Sequence, residues 1–516
     1  MKLLKKFISD YPAVIAFLSG ILVFIAVLEI QFLLTWICFA LFFGIIQDKN
    51  FKEAPRLGFC LGLGMSLCGF FWMIPGAAQF TGSSYLYGFL VFVICSILLS
   101  CYWALISLGV VSLKLKLSSF WWSCLANGIL VACIFIIGEY LLNLFVYDMP
   151  WFSFYSGYGL MNNLYAIQLA TYFGLPVLSF PVIFINYITA TIIQEKRYTG
   201  LVVPVCCVAG YLLVGYYILT DYERTYKASK AIKIAILSEN TPPDIKWDDA
   251  NGNILVKRLL DLDHEALRLK PDLALWSESA VPWTYQPDDD LVQELLKITS
   301  PAAITHILGI NTASTENIVL NSAYCLLPDN TVAGRYDKRV LLKFIEKPSN
   351  GLIIPFLSSE GFYVKDGQKA VPLNTPFGKA GIFICNEATV SSSAADMVRN
   401  GAQYLLNLSN DGWFRDSFIV GLHFFNARLR AVETRKDVVV NSNNGISGLI
   451  KSSGRIEVAE QSEMPVAKVV SVRPNNYSME HYNPMRLIYI CLLLVVPIIL
   501  LKLINPQFLL TKSNFL

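Results

Sequence analysis

Eight apolar runs, most of them near the length a helix needs to cross a bilayer, dominate this chain. They fall near residues 11–28, 31–46, 56–76, 84–112, 119–146, 165–193, 199–220 and 486–504. A hydrocarbon core about 30 Å thick takes roughly 20 apolar residues in helical form, because every backbone polar group must find its partner within the segment. Seven runs precede one long polar block and one follows it. That order excludes a single soluble globule, and 55% hydrophobic residues over 516 positions agrees with the exclusion. The predicted organisation is a membrane domain of about seven helices over 1–220, a polar domain over 221–485, and a C-terminal transmembrane helix with a short tail over 486–516. Met1 to Lys6 followed by an apolar stretch has the layout of a secretory signal. A second apolar run follows at once without a small-residue cleavage site, so an uncleaved first helix is expected.

Charge in the short loops orients the array. Lys2, Lys5 and Lys6 precede the first run; Lys49, Lys52 and Arg56 follow the second, Lys114 and Lys116 the fourth, and Lys196 and Arg197 the sixth. The alternate loops, around Glu29, Ala77 to Ser83 and Tyr147 to Leu164, hold no Lys or Arg. Basic short loops stay on the cytoplasmic side, which puts 221–485 on the other side of the membrane.

The net charge of +3 is small, and no dense Lys/Arg block with interleaved aromatics occurs, so a nucleic-acid surface has no basis. Nine of the twelve cysteines lie before residue 220 within apolar runs, and Cys491 lies in the last one. Cysteine there behaves as a small hydrophobe. Cys325 and Cys385 alone fall in the polar block, with no CxxC pair and no Cys/His cluster, so neither a disulfide framework nor a metal site is expected. His264, His306, His423 and His481 are scattered and form no catalytic or metal-ligand spacing.

The polar block alternates α and β patterns. Ile232 to Leu237 and Asp272 to Trp276 read as buried strands, and Ile254 to Lys270 as a helix with Leu255, Leu259, Leu262, Ala266 and Leu269 on one face. Ala303 to Ile310, Ser322 to Leu327, Gly381 to Ile384, Tyr404 to Leu408 and Val438 to Asn441 continue as short strands, with a helix over Ser391 to Asn400. The expected fold class is therefore a multi-span α-helical membrane domain plus an α/β sandwich.

Three segments carry chemistry: Trp276-Ser277-Glu278-Ser279-Ala280-Val281-Pro282, Tyr336-Asp337-Lys338 and Ile384-Cys385-Asn386-Glu387. Each follows a strand or sits in a loop beside one, so a carboxylate, an amine and a thiol can meet at one sheet edge. Cys325, within Ala323-Tyr324-Cys325-Leu326, reads instead as a packed residue.

With these segments the chain resembles the nitrilase superfamily and, within it, the membrane-embedded apolipoprotein N-acyltransferases. Further matches are Ile245-Lys246-Trp247, Asn321-Ser322-Ala323, Glu346, Ser409-Asn410-Asp411-Gly412-Trp413-Phe414, Ala427-Arg428-Leu429-Arg430-Ala431 and Asn443-Asn444-Gly445. The resemblance implies an α-β-β-α sandwich in which Cys385 is the nucleophile, Glu278 the general base and Lys338 the donor to the tetrahedral oxyanion. It implies Glu346 and Glu387 as supporting carboxylates around Lys338, and Asn386 and Trp413 as candidate substrate contacts. Trp247 reads either as a substrate contact or as an aromatic anchor. The implied reaction is ping-pong: an acyl chain passes from a membrane phospholipid to Cys385, and from the thioester to the α-amine of a diacylglyceryl-cysteine lipoprotein. No cofactor is implied, the chain is expected to act as a monomer, and the location is a bacterial inner membrane with the catalytic domain on the periplasmic side. The alternative is a membrane-tethered amidase, or an acyltransferase with a different amine acceptor.

The sequence departs from the family at Ser277, where proline is usual, and at Asn386, where an aromatic residue is usual. The stretch Lys338 to Glu346 lacks the family's common His, Pro and Gly at 340, 343 and 345, which changes the stiffness expected of that loop.

The one-sided Lys/Arg pattern makes a direct prediction. Single cysteines introduced into 221–485, in a background without other accessible cysteines, should react with an impermeant maleimide on intact cells, and cysteines near Lys49 or Lys196 should not. Labelling of the 45–56 loop would overturn the orientation.

Overall fold

A computed structural model of the chain describes residues 10–76, 84–226, 229–242, 245, 247–315, 318–343, 346, 363–414 and 417–504. Two compact units divide it: one holds the chain through Val146, Phe152–Leu219 and the segment from Tyr482, the other Tyr147–Trp151 and Thr220–His481.

The first unit is helical. Its helices are α1 (Pro12–Val23, running on as a π-helical turn Phe24–Leu28), α2 (Phe32–Thr35), α3 (Ala40–Ile46), α4 (Glu53–Gly69), α5 (Tyr85–Leu113), α6 (Phe120–Val146), α7 (Ala170–Phe173), α8 (Pro176–Gln194) and α9 (Val202–Thr225), with a closing helix Met485–Ile504. Among the described residues five helical segments are long and apolar enough to cross a membrane: Tyr85–Leu113, Phe120–Val146, Pro176–Gln194, Tyr198–Thr225 and Met485–Ile504. This is the make-up of a multi-pass membrane protein.

The expected spans 31–46, 56–76 and 165–193 are not single helices; in 56–76, α4 ends at Gly69 and a bend and turn follow at 70–72. The run 31–46 breaks between α2 and α3, and Asn186 of α8 fills the break. Its side-chain oxygen accepts the N–H groups of Phe39 and Ala40 at 2.8 and 2.9 Å, and its nitrogen donates to Thr35 O at 2.9 Å. One buried amide thus satisfies backbone groups that the broken helix leaves open. The run 165–193 breaks at Gly174, whose φ of +67° ends α7, and Pro176 then starts α8. Elsewhere small residues let helices touch: a Cβ on Gly64 would lie 2.0 Å from Phe17 O, and one on Gly20 would lie 2.0 Å from Leu61 O. Close backbone approach of this kind is how apolar helices gain packing energy in lipid.

The second unit is an α/β sandwich. A nine-stranded mixed sheet contains β1 (Ile232–Ser238), β2 (Leu273–Trp276), β3 (Val281–Thr284), β4 (Thr305–Thr315), β5 (Ile318–Leu320), β6 (Ser322–Leu326), β7 (Val332–Asp337), β8 (Tyr363–Val364) and β15 (Val466–Val472). A six-stranded sheet contains β9 (Leu373–Thr375), β10 (Gly378–Ile384), β11 (Tyr404–Asn410), β12 (Val438–Asn443), β13 (Ile446–Ile450) and β14 (Ile456–Gln461). The centres are parallel, β1 with β2 and β4 in the first sheet, β10 with β11 and β12 in the second.

Alternation along the strands explains the layers. On β1, Ile232, Ile234 and Ile236 enter the core shared with the second sheet, beside Leu273 and Leu275 of β2. Their neighbours Ala235, Leu237, Ala274 and Trp276 face the other way, against α10 (Gly252–Leu269) and α11 (Asp290–Thr299). Both faces are covered, which is why these strands are apolar at nearly every position. Met397 of α12 (Ser391–Arg399) and Phe424, Ala427 and Ala431 of α13 (Phe418–Thr434) cover the second sheet. Cys325 sits in the core between the sheets, fully buried.

Asn186→Leu should destabilise the helical unit by about 2 kcal/mol, since the Phe39 N–H loses its partner in a buried site and the Ala40 N–H and Thr35 O each lose one of two. Thermal unfolding in detergent reads the effect, and an unchanged midpoint would remove the role assigned to this amide.

Candidate active site

The three site residues follow strands, of which β2 and β10 are largely buried and β7 is buried only at Tyr336. Glu278 lies two residues beyond β2, Lys338 follows β7 directly and Cys385 follows β10 directly. The Glu278 turn lies against β4 at Gly309, where a Cβ would stand 2.1 Å from Ser277 O and 2.8 Å from Ser279 N. Only glycine lets the two backbones run so close.

The Lys338 ammonium, 1% exposed, donates to Glu278 Oε1 at 3.1 Å and to Glu346 Oε1 at 3.0 Å. Asn321 Nδ2 donates to the same two oxygens at 2.8 and 3.3 Å, and its carbonyl accepts the Lys338 N–H at 2.8 Å. Glu346 Oε2 accepts the Leu342 N–H at 2.8 Å, which ties the loop after Lys338 back on itself.

Glu387 braces the Lys338 loop through its backbone. Its buried carboxylate bonds backbone rather than the ammonium: the N–H groups of Ile384, Arg339 and Val340 donate to it at 2.7, 2.9 and 3.1 Å, and Tyr336 Oη donates at 2.9 Å. One carboxylate thereby clamps together the loops that carry Lys338 and Cys385. Cys385 itself adopts φ +51°. A left-handed residue with a Cβ costs about 1–2 kcal/mol, so the surroundings must hold it there.

Electrostatics follow from burial. Burial pushes the Cys385 thiol well above its ordinary range; the charge on Glu278 adds to this, Lys338 opposes it, and Asp411 and Glu346 raise it further. Burial acts to lower the Lys338 ammonium, but Glu278 and Glu346 outweigh it and hold the group charged. The resting site is therefore a neutral thiol beside a charged lysine.

Other expected residues fall as follows. Asn386 is fully buried and donates to Val340 O at 3.1 Å, so it braces the loop after Lys338. Trp247 packs edge-on against Trp283, ring centroids 5.2 Å apart, beside the α10–α11 core. The side chain of Trp413 lies outside the described residues, as do residues 344, 345 and 347 of the altered loop. Ser277 has a reason to stand where proline is usual: its hydroxyl donates to Glu239 Oε2 at 2.6 Å, and burial raises the Glu239 carboxyl to about 7 against the pull of that bond.

Asn321, Tyr336 and Asp411 lie in segments singled out in the sequence but carried no assigned role there, and His423 is a correction. His423 and Asp411 are buried, with Nδ1 and Oδ1 2.7 Å apart, and donor atoms of Cys385, Asp411 and His423 lie within 4.8 Å of one another. Such a trio has the make-up of a metal-ligand set, yet hydrogen bonds from Ser442 Oγ at 2.8 Å, Ser409 Oγ at 3.2 Å and His423 already occupy the Asp411 carboxylate. The histidine was invisible because eleven residues, including a strand-to-helix crossing, separate it from Asp411.

Comparison with known proteins identifies the relatives of both units. The Carbon-nitrogen hydrolase family matches residues 235–466, and the Apolipoprotein N-acyltransferase N-terminal domain matches residues 19–188. An apolipoprotein N-acyltransferase of Geobacter metallireducens is 28% identical over 62% of this chain and 63% of its own length, which is under two thirds of that relative. One of Wigglesworthia glossinidia brevipalpis is 24% identical over 79% of this chain and 81% of its own. Among solved structures, Saccharomyces cerevisiae Nit3, a member of branch 10 of the nitrilase superfamily, covers 56% of this chain and 98% of its own at 17% identity, with a TM-score of 0.37. With both domains matched in order along one chain, the protein belongs to the apolipoprotein N-acyltransferase family, its catalytic unit being a nitrilase-superfamily sandwich.

Proposed function

We propose that this protein transfers an acyl chain from a membrane phospholipid, through a thioester on Cys385, to the α-amine of the N-terminal diacylglyceryl-cysteine of lipoproteins. The observation that carries the reading is the buried ammonium of Lys338, shared by Glu278 and Glu346 and acting on a strained Cys385. Glu278 takes the thiol proton as sulfur attacks the ester carbonyl, because a neutral thiol is a poor nucleophile. Lys338 then faces the developing oxyanion, a contribution worth about 3 kcal/mol per donor in acyl transfer. Glu278 returns the proton to the departing glycerol oxygen, and lysophospholipid leaves. The amine attacks the thioester in the second half. Five segments long enough to span a bilayer suit an enzyme whose two substrates are both lipids, a requirement that soluble amidases lack. The Lys/Arg pattern supports catalysis on the periplasmic side.

Mass spectrometry of lipoprotein N-termini should find a third acyl chain with the wild-type protein and none with Cys385→Ala, although that variant still inserts and folds; Cys325→Ala should keep activity. Thioester that turns over to water while lipoproteins keep two chains would favour the amidase alternative. Lys338→Met should slow single-turnover acylation by at least about a hundredfold, with phospholipid binding little changed. Near-full acylation in that variant would return Lys338 to a structural role.

A further inference from the structure

The amine half-reaction poses a proton problem that Glu278 alone does not solve. An α-amine titrates near about 7.7–8.0, so much of the acceptor arrives as ammonium. In becoming an amide nitrogen it must lose two protons. Glu278 takes one and passes it to the sulfur as the C–S bond breaks, which restores the thiol. The second proton needs another acceptor close to Cys385.

We infer that His423, held by Asp411, is that acceptor: the general base that frees the incoming amine. The inference rests on the acyl-transfer reading above. Asp411 receives hydrogen bonds from Ser442 and Ser409, so it acts as an acceptor, and the His423 proton must lie on Nδ1, which faces Asp411 at 2.7 Å. Nε2 then carries a lone pair, as an imidazole oriented by a carboxylate presents it. This nitrogen is buried and has no hydrogen-bond partner, an unusual state that a substrate donor would relieve. The Cys385, Asp411 and His423 donor atoms lie within 4.8 Å of one another, so an amine attacking a carbonyl on that sulfur comes within reach of the ring.

The groups around the histidine do not replace it. Glu278, Lys338 and Glu346 bear on the same sulfur but are paired with one another. On its own helix, Arg428 donates to Gly454 O and Arg430 pairs with Glu433. The step balances: the N–C bond forms, the C–S bond breaks with its electrons going to sulfur, one ammonium proton reaches sulfur through Glu278, and the other passes to His423 and then to water.

The test separates the half-reactions in the full-length protein. Thioester on Cys385 is followed by intact-protein mass spectrometry after mixing with phospholipid, and its transfer is then timed with a diacylglyceryl-cysteine peptide at pH 7 and pH 9. His423→Gln should form thioester within about threefold of wild type, yet transfer about a hundredfold more slowly at pH 7, with the gap closing to under about tenfold at pH 9, where the amine is already neutral. Asp411→Asn, which upsets the tautomer and also removes a charge that raises the Cys385 thiol, should slow transfer at pH 7 without slowing thioester formation, and serves if His423→Gln does not fold. Equal loss in both half-reactions, or a transfer defect that ignores pH, marks a structural role and overturns the inference. Unchanged transfer in both variants overturns it while the acyl-transfer reading stands. A wild-type protein that forms no thioester sinks both.

Discussion

A single ammonium buried between two carboxylates sets the terms for the catalytic unit. An unpaired charge in such surroundings costs several kcal/mol, so Lys338, Glu278 and Glu346 can be buried only together. Two negative charges against one positive leave the cluster with a surplus acceptor, which the Asn321 amide and the Leu342 N–H moderate. In the proposed reaction that surplus keeps a carboxylate ready for a proton beside a thiol that still holds one. The price is geometric: three loops must be fixed to within a fraction of an ångström. Strand ends, the Gly309 contact and the Glu387 clamp all serve that end.

Much of this was legible in the sequence, for physical reasons that can be named. The two-faced burial of β1 and β2 shows as continuous apolar stretches, and the helical face of Leu255, Leu259 and Leu262 shows as a repeat. Glu278 and Cys385 stood out because each follows such a stretch, and Lys338 because it sits in the Tyr336-Asp337-Lys338 motif beside a strand. The eight apolar runs mark out the helical unit.

What stayed hidden depends on contacts between residues far apart in the chain. Asn186 repairs a break about 150 residues away, and no local pattern announces either the break or the repair. Gly309 looks like an ordinary strand glycine until the Glu278 turn is laid against it. Ser277 reads as a lost proline, whereas in space it is half of a pair with Glu239. His423 is hidden most deeply, since a histidine on an apolar helix is usually only packed.

The buried, protonated state of Cys385 also bears on how the protein survives its surroundings. Oxidation and disulfide exchange run through thiolate, and at a rate set by access as well as by charge. A cysteine that is 3% exposed and held as a thiol presents little of either. On the proposed mechanism, the nucleophile is thus shielded from oxidants, peroxide and stray disulfides until a substrate carbonyl enters and Glu278 draws the proton away.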